Sequence, residues 1–119
     1  MEKKSYKDLH VWQKSIDLIP EVYQLLKSFP KEENYALSDQ IRRALVSIPS
    51  NIAEGQARLH LKEFIQFLGI SKGSLAELHT LLIVSHRLNY ISKEELKRLE
   101  MPIEEISKML NSLIRSLEN

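Results

Sequence analysis

The chain carries four histidines, sixteen carboxylates and no cysteine. The absence of cysteine excludes disulfides, thiolate nucleophiles and Cys-based metal or iron–sulfur sites. The most testable enzyme chemistry for a helical chain is a di-metal carboxylate centre. That centre needs Glu-x-x-His on two helices, because residues three apart point together into a core. The residues three before His10, His60, His79 and His86 are Lys7, Ala57, Ala76 and Ile83, and none is acidic. His79 and His86 lie seven apart and share a helical face, but the nearest acid, Glu77, points elsewhere on that helix. They read as partly buried histidines hydrogen-bonded to neighbours. Thirteen serines occur without a Gly-x-Ser-x-Gly elbow. Gly69, Gly73 and Ser74 lack the spacing of a phosphate loop. No residue is assigned to catalysis, to a cofactor or to a metal.

The polar residues that do fall into a pattern are Arg43, Ser47, Asn51, Glu54 and Arg58, stepping 4-4-3-4. On a helix they form a stripe beside an apolar one. Ser74 and Glu77 lie on a second helix, next to Gly69 and Gly73, which share one face. Two readings stand for this stripe. One is a solvated face with weak ion pairs. The other is a partly buried network that sets helix register. Basic residues that could contact phosphates are Lys3, Lys4 and Lys7 near the start, and Arg42, Arg58, His60 and Lys62 around the second break.

Four amphipathic segments must position these groups. The first runs from Ser5 or Lys7 to Phe29 and carries two apolar rows. Leu9, Trp12, Ile16, Ile19, Tyr23 and Leu26 form one; Val11, Leu18, Val22, Leu25 and Phe29 form the other. One row is expected in the core and the other is available for a subunit interface. The second segment, Tyr35 to Ala57, has the stripe Leu37, Ile41, Leu45, Ile48 and Ile52. The third, Leu61 to Asn89, again has two rows, one through Phe64, Leu68, Leu75, Leu78 and Leu82, the other through Phe67, Ile70, Leu81, Val84 and Leu88. Glycine in a helix costs roughly 1 kcal/mol against alanine, so Gly69 and Gly73 imply a close backbone approach. Ser92-Lys93-Glu94-Glu95 is a capping box that opens the fourth segment, which keeps 3-4 spacing from Leu96 to Leu117. Pro20, Pro49 and Pro102 should bend the segments that contain them, or in the last case open a new helix.

Nineteen Leu and twelve Ile against four Val and one Thr disfavour strands. Four helices with short connections predict an all-α, antiparallel up-down-up-down four-helix bundle, one domain over 1–119 with residues 1–4 frayed. Seventeen basic against sixteen acidic residues leave a net charge of +1, without a strong field toward nucleic acid. No uninterrupted apolar run approaches the ~20 residues that span a bilayer, and no signal peptide opens the chain, so a cytoplasmic protein with no membrane partner and no small-molecule substrate is expected.

Three strings carry a family resemblance: Gln40-Ile41-Arg42-Arg43-Ala44, Ser47-Ile48-Pro49-Ser50-Asn51-Ile52-Ala53-Glu54-Gly55, and Phe64 through Gly73-Ser74-Leu75-Ala76-Glu77. With the opening Asp8-Leu9-x-Val11-Trp12-Gln13-Lys14, they resemble the four-helix-bundle proteins associated with intervening sequences of bacterial 23S rRNA genes. The resemblance implies a small cytoplasmic protein that assembles as a ring-like homopentamer, with no enzymatic activity and an ill-defined role. A related branch is similar to the accessory protein of diversity-generating retroelements, a strongly basic pentamer that binds nucleic acid. The signature residues of the family carry over onto Arg43, Ser47, Asn51, Glu54, Gly55, Gly73, Ser74 and Glu77. The resemblance favours an internal or intersubunit network over a solvated stripe. It implies an oligomeric interaction or scaffold module, or alternatively an RNA- or DNA-binding oligomer.

Overall fold

A computed structural model describes residues 5–119. The expectation of a frayed start, and the candidates Lys3 and Lys4, lie outside the described residues. A short 3-10 turn, Tyr6–Asp8, is capped by Ser5, whose hydroxyl accepts from the Lys7 amide while Asp8 accepts from the Ser5 amide, both at 3.2 Å. Four helices follow: α1 (His10–Leu26), α2 (Leu37–Gln56), α3 (Leu61–Arg87) and α4 (Lys93–Glu118). A second 3-10 turn, Lys31–Glu33, lies between α1 and α2. No strand occurs among the described residues.

Each helix touches two others: α1 meets α2 and α4, and α3 meets α2 and α4, while α1 and α3, or α2 and α4, do not approach. Cross-helix contacts give the directions. Ser47 meets Ser74 while Gly55 meets Phe67, His79 meets Glu100 while His86 meets Ile91 just before α4, and Lys14 meets Glu105 while Leu9 and Val11 face Met109 and Leu113, so numbers rise along one helix as they fall along its neighbour. The result is the expected antiparallel bundle, about 50 Å long.

The core answers a question that the two apolar rows of α1 left open. Val11, Leu18, Val22, Leu25 and Phe29 are buried, together with Ser15. Most of the rival row stays at the surface: Leu9, Trp12 and Ile19 are half-buried, Ile16 and Tyr23 are exposed, and only its last member, Leu26, is buried. In α3, Leu68, Leu75, Leu78 and Leu82 are buried, while Ile70, Val84 and Leu88 are exposed. Leu96, Leu99, Ile103, Ile106 and Leu110 complete the core from α4. Each such side chain contributes on the order of 1.5–3 kcal/mol by leaving water.

Helix ends follow local chemistry. Ser92 accepts from the Glu95 amide at 3.0 Å while Glu95 accepts from the Ser92 amide at 2.8 Å. At the end of α3, Asn89 adopts φ 65°. The amides of Tyr90 and Asn89 then bond the Ser85 and His86 carbonyls, both at 2.9 Å. This is a left-handed stop that asparagine tolerates better than most residues. Tyr90 packs on Phe29, and its hydroxyl donates to Glu33 at 2.8 Å. The other oxygen of Glu33 accepts from the Leu37 amide, capping α2.

Two expectations need correction. Glycines 69 and 73 are not sites of close backbone approach within the protomer; a Cβ at either would meet nothing within 4 Å. The close approach occurs at Gly55, where a Cβ would stand 2.5 Å from Phe67 Cβ and 3.3 Å from the Phe64 carbonyl oxygen. The apolar length of α3 was also missed. The helix is long and apolar enough to cross a membrane by length and composition, yet only 28% of that stretch is buried in the bundle. Glycine, alanine, serine and threonine interrupt its apolar runs, with Lys72 and Glu77 the charges at its centre.

Candidate interaction face and basic end

Proline at position 49 organises the centre of α2. It has no amide hydrogen, so the Leu45 carbonyl loses its helical donor. Side chains crowd the adjoining carbonyls. Ser50 donates to the Val46 carbonyl, Asn51 to the Ser47 carbonyl and Ser71 to the Ile48 carbonyl, each at 2.8 Å. The helix runs through the proline without a break; these side chains are second donors to carbonyls whose helical partners, the amides of Ser50, Asn51 and Ile52, the proline does not remove. Pro20 and Pro102 likewise lie inside continuous helices.

Ser47 then bonds Ser74 across the pair at 2.8 Å, and Asn51 also donates to Ser47 Oγ at 2.8 Å. Of the signature residues, the structure gathers Ser47, Asn51 and Ser74 into one half-buried chain, with Gly55 locked against Phe67 below it. It does not bring Arg43, Glu54 or Glu77 into that chain. Arg43 pairs with Asp39 at 3.0 Å, its side chain 80% exposed. Glu54 and Glu77 are exposed and have no partner among the described residues. The antiparallel register places Arg43 level with Glu77, so all these groups share the outer α2–α3 face. Long charged side chains extend into water there, while the half-buried serines bond each other between the helices.

The candidate phosphate contacts divide. Lys7, Arg58, His60 and Lys62 collect at the end of the bundle where α1 starts and α2 turns into α3. Arg58 lies over the Phe67 ring, 4.9 Å from its centroid, and 3.7 Å from Glu63. Arg42 does not belong with them. It donates to the Asn34 carbonyl at 2.8 Å, at the opposite end of α2. At 1.5 Å per residue it is about 24 Å from Arg58.

The two histidines are held apart, as their hydrogen-bonded reading requires. His79 Nε2 lies 2.7 Å from Glu100, and His86 Nδ1 lies 3.1 Å from the Ile91 carbonyl oxygen. No group of three metal-binding side chains forms among the described residues. Ser71 and Ser50 were not singled out from sequence: only the pairing of α2 with α3 brings Ser71 to the Ile48 carbonyl, and Ser50 bonds back one turn within its own helix.

Comparison with curated proteins returns no match. Among solved structures, this chain is similar to a protein of unknown function from the S23 ribosomal protein family of Bacteroides thetaiotaomicron VPI-5482. The two share 29% identity with a TM-score of 0.81, over 88% of this chain and 95% of that one. Neither that protein nor the matching family is described by an activity. The family profile of the 23S rRNA-intervening sequence protein matches residues 7–112. A match of that extent, over the same bundle and through the whole Pro49 segment, means that the chain belongs to the 23S rRNA-intervening sequence protein family.

Proposed function

We propose that the protein is a non-catalytic cytoplasmic scaffold that works as a homo-oligomer, five copies closed in a ring. The observation that carries this reading is the surface of α3. Ile70, Ile83, Val84 and Leu88 are between 37% and 49% exposed, beside the uncovered Gly69 and Gly73. A helix apolar on all sides belongs in an interior. The outer row of α1 is the second uncovered surface. These two helices are diagonal in the bundle, so their outer faces look in different directions. Contact between unlike faces is heterologous, and repeated it closes a ring or extends a filament. Five is the number the family resemblance implies.

Sedimentation velocity at micromolar concentration tests the assembly. The expected mass is that of five 13.9 kDa protomers, about 70 kDa. A monomer at that concentration overturns the proposal. Glu54 on α2 and Glu77 on α3 stand on the outer α2–α3 face, beside the uncovered apolar row, so Glu54→Ala or Glu77→Ala is expected to weaken assembly or lower Tm more than Glu104→Ala. Unpaired partners at a covered surface typically cost about 1–3 kcal/mol. Equal and negligible effects return these groups to the solvated surface.

A second reading has one observation in its favour: the gathering of Lys7, Arg58, His60 and Lys62 at one end. In it the oligomer binds RNA or DNA through a ring of such ends. Titration of labelled structured RNA at two salt concentrations tests it, because phosphate contacts release counterions. Salt-dependent binding supports the reading, and no binding at low salt removes it.

A further inference from the structure

Leu59 and Leu61 bracket the turn between α2 and α3 and are 86% and 54% exposed. The turn that carries them is rigid. Gly55 is pressed against Phe67. The Arg58 amide bonds the Gly55 carbonyl at 3.1 Å, and the amides of Glu63 and Phe64 bond the His60 carbonyl at 3.1 and 3.2 Å. Both leucines are therefore held outward before any partner arrives, which lowers the ordering cost of contact. Arg58, His60 and Lys62 interleave with them; Arg58 is paired with Glu63 at 3.7 Å, and Lys62 has no partner among the described residues. Lys7 stands at the same end, and the half-buried Tyr6–Trp12 pair, 5.4 Å between ring centroids, lies behind it.

A projecting apolar tip offers no groove to a peptide, and exposed leucines add nothing to phosphate contacts along a nucleic acid. The same combination suits a fluid, negatively charged interface, where leucines enter below the headgroups and the cations stay among lipid phosphates. We propose that this end of the bundle docks on an anionic lipid surface through Leu59 and Leu61, with Lys62 and Lys7 on the phosphates. The contact is peripheral and needs no spanning helix. Equivalent points in any cyclic assembly lie in one plane, so every copy can reach a flat membrane together and the weak contacts multiply. That multiplication rests on the ring proposed above; the chemistry of the tip does not.

The test is co-sedimentation of the full chain with vesicles of phosphatidylcholine alone or mixed with phosphatidylserine, at low and high salt, with the oligomeric mass measured in parallel. Binding is expected to the mixed vesicles only and to be lost at high salt. Leu59→Asp with Leu61→Asp should weaken it roughly tenfold or more while leaving helicity and mass unchanged. No binding by an intact oligomer overturns the proposal, as does binding that survives both leucine substitutions. Structured RNA that displaces the vesicles and still binds the leucine variant assigns this end to nucleic acid and overturns it too. A monomer that binds weakly, with the same dependence on leucine and salt, keeps the lipid contact and refutes only the ring.

Discussion

The α2–α3 pair and the α1–α4 pair belong to the same bundle and are built on opposite terms. Between α2 and α3 small and polar residues recur at the contact, beside the large apolar ones. Gly55 admits Phe67, Ser71 reaches the Ile48 carbonyl, and Ser47 meets Ser74. This is the most extensive helix pair in the bundle. Between α1 and α4 the cross-link is an exposed ion pair, Lys14 to Glu105 at 2.7 Å. Beside it the helices part around an open groove of about 480 Å³ lined by Leu9, Val11, Met109 and Leu113. Close approach needs a missing side chain and satisfied backbone acceptors. Large residues on both sides hold helices apart, and a surface charge pair does little to draw them together.

The largest test of this contrast is Gly55→Val. Alanine at this position would gain about 1 kcal/mol in helix propensity, but any Cβ must displace Phe67. Overpacking typically costs about 1–3 kcal/mol, and the second branch of valine puts this variant at the upper end, read as a lower midpoint in urea denaturation. Unchanged stability would mean that the pair is not held by close approach.

Ser71→Ala removes a buried donor from the Ile48 carbonyl and should cost about 1 kcal/mol by the same measurement. Adding Ser47→Ala and Ser74→Ala should cost less per residue, because those hydroxyls can reach water. Equal costs would show that burial does not separate the two bonds.

Tyr90 clamps the open end of the α2–α3 pair. Its hydroxyl is raised above the ordinary value of 10.0, first by the hydrogen bond to Glu33, then by burial and by the charges of Glu33 and Glu32. The folded state therefore favours the neutral phenol. The resulting stability is fully present below pH 10 and is lost as pH rises through the raised value. Tyr90→Phe should lower stability at neutral pH and flatten that alkaline decline. A Tyr90→Phe protein with the same alkaline slope as the parent would place the titration elsewhere.

The smallest effect is expected across the loose pair. Lys14→Ala should change stability by less than about 0.5 kcal/mol, and less still at high salt. A loss comparable to that of Ser71→Ala would erase the distinction between the two pairs.

Much of this was legible in advance. The Ser92 capping box, the α4 stripe, the absence of strands and the order of four antiparallel helices all follow from local patterns. The centre of the polar stripe was legible as a pattern, but its division was not. Ser47, Asn51 and Ser74, half-buried, bond one another while Arg43, Glu54 and Glu77 stay exposed, because short side chains find partners between the helices and long charged ones extend into solvent. Arg42 seemed close to Arg58 in a list of basic residues, yet one stiff helix separates them.

Periodicity, composition and capping chemistry determined the helices and their count, since each depends on residues within a few positions of one another. Tertiary structure alone decided which apolar row of α1 entered the core and why Gly55, rather than Gly69 or Gly73, met a neighbouring helix. Those choices depend on the register between distant segments, and two rows of equal spacing are equivalent until another helix is packed against one of them.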